Sequence, residues 1–139
     1  MIEILCFGDS NTYGFTPDWK HRYGRDIRYP GVLQALLGDG YYVAEDGLVG
    51  RTAAFADDNR AGRSALETLP LSIESHGPVQ YIILMLGTND CKVPQKKTGV
   101  SSHLRCDRFT PYRELFRIRD CACRFRNPGP ATLLIGCFF

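Results

Sequence analysis

The chain has 139 residues, 44% of them apolar and 23% charged, with a net charge of +2. That is the balance of one globular domain, not of a disordered or collagen-like segment, and a chain this long buries roughly two thirds of its unfolded surface without metals or disulfides. No apolar run approaches the roughly 20 residues that cross a bilayer, the start Met1-Ile-Glu-Ile-Leu-Cys-Phe7 lacks the marks of a secretory signal, and the charge is too small for a phosphate-binding face. A cytoplasmic protein with no membrane and no nucleic-acid partner is therefore expected.

Ile2 to Phe7 form a short, nearly continuous apolar run that stops at Gly8-Asp9-Ser10-Asn11, the pattern of a buried parallel strand ending in a turn. After a polar loop over residues 16–28, Pro30 opens a helical stretch whose Val32, Leu33, Leu36 and Leu37 share one face, and Gly38 closes it. Tyr41 to Ala44 reads as a second strand, running into the loop Glu45-Asp-Gly47-Leu-Val-Gly50-Arg-Thr52. Ser64-Ala-Leu-Glu67 has capping-box spacing before a helix carrying Leu66, Leu69 and Ile73, which Pro70 is expected to kink or restart. Gly77-Pro78 then breaks the chain before Val79 to Leu86, the most apolar stretch, which ends at Gly87-Thr-Asn89-Asp90.

Beyond Thr98 the composition shifts. Residues 1–98 carry 10 Lys and Arg against 12 Asp and Glu, whereas residues 99–139 carry 7 Arg against 3 acids and hold four of the six cysteines. Leu115, Ile118, Ala122 and Phe125 recur at helical spacing, predicting a crossover helix, and Ala131 to Ile135 a fourth strand. The cysteines are read as free thiols, because Cys121-Ala-Cys123 lacks zinc-site spacing and nothing marks the chain for export. Strands alternating with helices give an α/β fold, a three-layer, flavodoxin-like parallel sheet with helices on both faces, in one domain spanning 1–139. Ligands in such sheets bind at the carboxyl ends of the strands, where the three polar turns lie.

Ser10 follows a buried strand and opens a helix, a place where a nucleophile meets unpaired backbone N–H groups. Taken alone, Asp9, Ser10, Asn11 and Thr12 are equally the residues that cap a helix and shape a turn. Two other strand ends carry matching devices: Gly50, whose backbone N–H can approach an oxyanion, and Asn89, whose side-chain amide can donate a second hydrogen bond. A phosphate cradle at Ser10-Asn-Thr-Tyr-Gly14 would leave both of these unexplained.

The blocks Gly8-Asp9-Ser10-Asn11-Thr12-Tyr13-Gly14, Gly47-Leu-Val-Gly50-Arg-Thr52 and Gly87-Thr-Asn89-Asp90, in that order, resemble the SGNH hydrolases, or GDSL esterases and lipases. Arg28-Tyr-Pro-Gly-Val-Leu33 is similar to the stretch that follows the first block in bacterial arylesterases and acyltransferases, so the likeness covers residues 1–98. It implies a carboxylic ester hydrolase of the esterase, lipase or acyltransferase type, acting on a small-molecule ester without metal or cofactor. Ser10 would be the nucleophile, and the N–H groups of Ser10 and Gly50 with the Asn89 amide would form the oxyanion hole. Asp9, Asn11 and Asp90 would support them.

The family's last block is an Asp-x-x-His beyond the final strand. Here the only such spacing is Asp18-Trp-Lys-His21, in the loop after the first block, which is read as a surface feature; His76 and His103 have no aspartate at that spacing and are expected to face solvent. The expectation is therefore a truncated or frame-shifted tail and impaired activity, the alternative being a catalytically dead member that retains an ester- or anion-binding pocket. Without a strand from the tail, the central strand would present an open edge through which copies self-associate.

Overall fold

A computed structural model describes residues 1–53 and 55–90 and, as backbone, three strands within 117–136. Three parallel strands carry the domain: β1 (Ile2–Gly8), β2 (Tyr41–Gly47) and β3 (Tyr81–Met85), with β1 between the other two. Helix α1 (Ser10–Tyr13) follows β1, α2 (Tyr29–Leu37) precedes β2, and α3 (Ala65–His76) lies between β2 and β3. The remaining strands are β4 (Arg117–Arg119), β5 (Arg124–Arg126) and β6 (Thr132–Gly136), giving the sheet order β2-β1-β3-β6-β5-β4. No helix among the described residues is long and apolar enough to cross a membrane.

The pleat of β1 divides the core. Leu5 and Phe7 point to the face covered by α3, packing with Leu69, Ile82 and Leu84, while Ile4 and Cys6 point to the other, with Val43 and, from α2, Leu33 and Leu37. A strand apolar on both faces needs helices on both, which is the three-layer arrangement its composition predicts.

β2 continues three residues past the expected strand, through Glu45, Asp46 and Gly47, which pair with Cys6, Phe7 and Gly8. These acids stay in the sheet because each has cationic or hydroxyl partners. Arg22, Arg25 and Arg28 converge on Glu45, while Arg51 and the Ser72 hydroxyl hold Asp46.

On α2 the expected apolar face is rotated. Leu33 and Leu37 pack inward, but Val32 and Leu36 are exposed, and the buried residues are Pro30 and Gly31. Gly31 lies against the Arg25 carbonyl, where a Cβ would come within 1.8 Å of the oxygen. Gln34 turns toward the outer edge of β2, donating to Tyr41 O at 2.9 Å and accepting from Val43 N at 2.7 Å. An edge strand otherwise leaves such groups open to other chains.

The capping box at Ser64 does not form. Ser64 is the N-cap of α3 but makes no side-chain cap bond, because it is buried in a short bridge with Thr52, in which Ala65 N donates to Thr52 O. The helix runs on through Pro70 without restarting. The crossover helix is overturned where the tail is described: Ile118 lies in β4 and Phe125 in β5, opposite each other in an antiparallel pair. Arg-Ile-Arg and Arg-Phe-Arg alternate with the period of a strand, and that pattern prevails over the helical spacing. Leu115 and Ala122 lie outside the described residues. β6 pairs in parallel with β3, so the edge of β3 is covered and the self-association expected there loses its premise.

Cys6, fully buried in β1, is a free thiol; the other five cysteines lie outside the described residues. Burial pushes its pKa up to about 11, and the nearby Glu45 charge adds to this against a hydrogen bond from Tyr29. A raised pKa means that burying the neutral thiol stabilises the fold fully below the ordinary thiol range, a contribution lost as pH rises toward 11. At pH 8 Cys6 should resist iodoacetamide in the native protein and react once denaturant is added, as read by peptide mass mapping.

Candidate active site

The carboxyl ends of the three parallel strands meet at one place, and their loops are tied together by hydrogen bonds. Asp9, at the end of β1, is the N-cap of α1, its carboxylate accepting from Asn11 N at 2.9 Å. Asn89, after β3, donates its side-chain amide to Arg51 O at 3.0 Å and approaches Asp9 Oδ2 at 3.4 Å, so one amide bridges all three loops. Asp90 accepts from Ala53 N at 3.0 and 2.8 Å. Asp9 and Asn89 are buried, which strengthens the short bonds of this set, to Arg51 O and from Asn11 N.

Arg51 is the joint beneath them. It is 4% exposed, and its guanidinium lies 3.7 Å from the centre of the Phe7 ring. It donates to Gly8 O at 3.0 Å and Asp46 O at 2.7 Å, and pairs with the Asp46 carboxylate at 2.9 Å. Burial lowers its pKa, and Asp46 opposes that shift.

Ser10, Gly50 and Asn89 line a single open cavity of about 290 Å³. Phe15, Trp19, Val49 and Arg60 complete its walls. Among the described residues, the backbone N–H groups of Ser10 and Gly50 have no hydrogen-bond acceptor. Two unpaired donors beside a hydroxyl, with an amide on the facing loop, can receive negative charge on an oxygen held between them. Asn11 is exposed and enters only through its backbone N–H, and Asp90 acts on the second loop through Ala53.

Gly50 adopts φ +80°, and a Cβ there would lie 2.1 Å from Arg60 Nη2. Gly50→Ala should therefore cost about 1–2 kcal/mol of backbone strain and also displace the arginine. A lowered denaturant midpoint together with slower active-site labelling is the expected result.

The aromatic wall is stacked edge to face, Trp19 on Phe15 at 5.7 Å and Phe15 on Tyr13 at 6.1 Å. The loop behind it is pinned by Thr16, which donates to Asp18 and accepts from His21 N. Asp18 and His21 form an exposed pair, Nδ1 to Oδ2 at 2.8 Å, and neither lines the cavity. His76 is partly buried where solvent exposure was expected, because its Nδ1 closes the last turn of α3 on Ser72 O at 2.9 Å. His103 lies outside the described residues. Among the described residues, no group of three or more His, Cys, Asp or Glu could hold a metal ion.

Residues 6–139 match the GDSL-like lipase/acylhydrolase family. The chain belongs to that family. Over 96 residues it is 35% identical to an acetylxylan esterase of Xylanibacter ruminicola, a stretch covering 66% of this chain and 17% of that protein. Among solved structures it is similar to the aryl esterase of M. smegmatis, at 39% identity and TM-score 0.62, covering 65% of this chain and 44% of that one. It is likewise similar to Est24, a carbohydrate acetylesterase from Sinorhizobium meliloti, at 40% identity and TM-score 0.62, with the same coverage. The chain thus spans less than half the length of these relatives.

Sequence reasoning passed over four of the wall residues of this GDSL-like site. Trp19 was open to notice, being the only tryptophan of the chain and set in a polar loop. Phe15, Val49 and Arg60 had no such signal. Arg51 stood inside the second block, but its burial depends on three strands meeting.

Proposed function

We propose that the cavity is the acyl-transfer site of a carboxylic ester hydrolase. Ser10 Oγ bonds to the ester carbonyl carbon as its hydroxyl gives up its proton, and the carbonyl oxygen takes up charge facing the N–H groups of Ser10 and Gly50 and the Asn89 amide, which turns one N–H from its long 3.4 Å contact with Asp9 toward that oxygen. The bond from the acyl carbon to the alcohol oxygen then breaks, the alcohol leaving with the proton that Ser10 gave up, and water or another alcohol adds to the acyl carbon, its proton returning to Ser10 Oγ as the bond to serine breaks. The observation that carries this reading is that Ser10, Gly50 and Asn89 line one cavity, with two of the backbone donors unpaired. The family and the esterase names of its relatives support it, and point to small acyl esters of aryl or sugar alcohols. The test is a fluorophosphonate probe followed by peptide mass mapping. An adduct on Ser10 is expected, and an adduct elsewhere or none would sink the assignment.

One observation favours a second reading, a pocket that binds esters without turning them over. Among the described residues neither histidine makes a hydrogen bond to Ser10: His21 Nδ1 is held by Asp18 and His76 Nδ1 by Ser72 O. A serine hydroxyl without a base is a weak nucleophile at neutral pH. Under this reading the 139-residue chain binds aryl acetate and leaves it intact, which product release measured beside equilibrium binding distinguishes.

A further inference from the structure

Among the residues lining the cavity is a cation that the acyl-transfer chemistry does not use. Arg60 lines the cavity and lies against Gly50, filling the space that a Cβ would occupy there. Its Nε donates to Asp57 Oδ2 at 3.0 Å, while its two terminal nitrogens have no acceptor among the described residues. The anchor is firm, because residues 57–60 form a closed turn. Arg60 N donates to Asp57 O at 3.1 Å, and Asn59 N to Asp57 Oδ1 at 3.0 Å. The Asn59 backbone N–H and the Arg60 guanidinium together hold the Asp57 carboxyl below the usual range.

A guanidinium fixed by its Nε presents the two terminal N–H groups as a planar fork, the geometry that matches a carboxylate. Its side chain is 47% exposed, which is too wet for a device that stabilises charge at the reacting carbon but suits a group at the rim. Phe15 and Trp19, stacked edge to face, give the same cavity an apolar stretch of wall. Trp19 is held there with φ +60°, a backbone state uncommon for any residue but glycine.

Building on the acyl-transfer reading, we propose that Arg60 is a specificity residue, selecting esters that carry a free carboxylate a few bonds from the scissile carbonyl. The ester lies between the aromatic wall and Ser10, and its carboxylate docks on the two terminal nitrogens of Arg60. Half-esters of short dicarboxylic acids have this form.

Trp19, the only tryptophan in the chain, reports occupancy directly through its emission. Titrating the full chain with monomethyl succinate and with dimethyl succinate compares a carboxylate-bearing ester with its neutral counterpart. The half-ester should bind at least tenfold more tightly, the preference should vanish in Arg60→Gln, and part of it should return in Arg60→Lys. Equal affinities in the parent chain, or a preference that survives Arg60→Gln, would overturn the proposal. Circular dichroism of each variant separates loss of the site from loss of the fold. Ser10→Ala should retain the binding preference. Ester hydrolysis that persists in Ser10→Ala would instead refute the acyl-transfer reading and leave this one standing.

Discussion

Ser10→Ala should remove fluorophosphonate labelling altogether and lower any ester hydrolysis by at least about 10³-fold, since serine hydrolases lose up to about 10⁶-fold with their nucleophile. Stability should change little. Ser10 Oγ makes no hydrogen bond among the described residues and sits at a cavity wall, so its removal opens no buried void and orphans no partner. That split, chemistry lost and fold kept, separates a nucleophile from a helix cap. The capping here is done by Asp9, whose carboxylate holds Asn11 N. Asn89→Ala should slow labelling by about 10²–10³-fold, as removal of one oxyanion donor does elsewhere. It should also lower stability, because the same amide ties Arg51 O to the Asp9 loop. Labelling rates for the two variants, read beside their denaturant midpoints, test this pair. An Asn89→Ala variant with normal labelling would remove the amide from the oxyanion hole.

Arg51→Met should destabilise the protein by about 3 kcal/mol, near the lower end of what breaking a buried ion pair costs. The lower end applies because Asp46 keeps the Ser72 hydroxyl and some solvent after the guanidinium is gone. Methionine preserves the packing on Phe7, so the loss isolates the hydrogen bonds to Gly8 O and Asp46 O and the pairing with Asp46. Without the joint, the backbone carbonyl of residue 51 that accepts from the Asn89 amide is no longer held in place, and labelling of Ser10 should slow as well. Urea unfolding followed by fluorescence measures the first effect. A change under about 1 kcal/mol would mean that the strand ends meet without help from Arg51.

Much of the fold was legible because its signals are local. The apolar runs of β1 and β3 stop at polar turns, and only a buried parallel strand satisfies so many consecutive apolar residues. Where the reading missed, a distant partner decided the outcome. Glu45 and Asp46 look like loop residues until four arginines and the Ser72 hydroxyl satisfy them in β2. Val32 and Leu36 fit an inward face until the Arg25 carbonyl against Gly31 rotates the helix. Ser64 resembles a capping serine until Thr52 draws it into a bridge.

The same division runs through the site. By itself the sequence determined which groups stand at the three strand ends, Ser10, Gly50 and Asn89, because a turn after a strand is fixed by the residues within it. Only the tertiary structure decided that these ends share one cavity, that Arg51 lies buried beneath them, and that Trp19 and Arg60 also line it. The meeting of the strand ends and the burial of Arg51 arise from hydrogen bonds between residues some forty to eighty positions apart, and no local pattern encodes such distances.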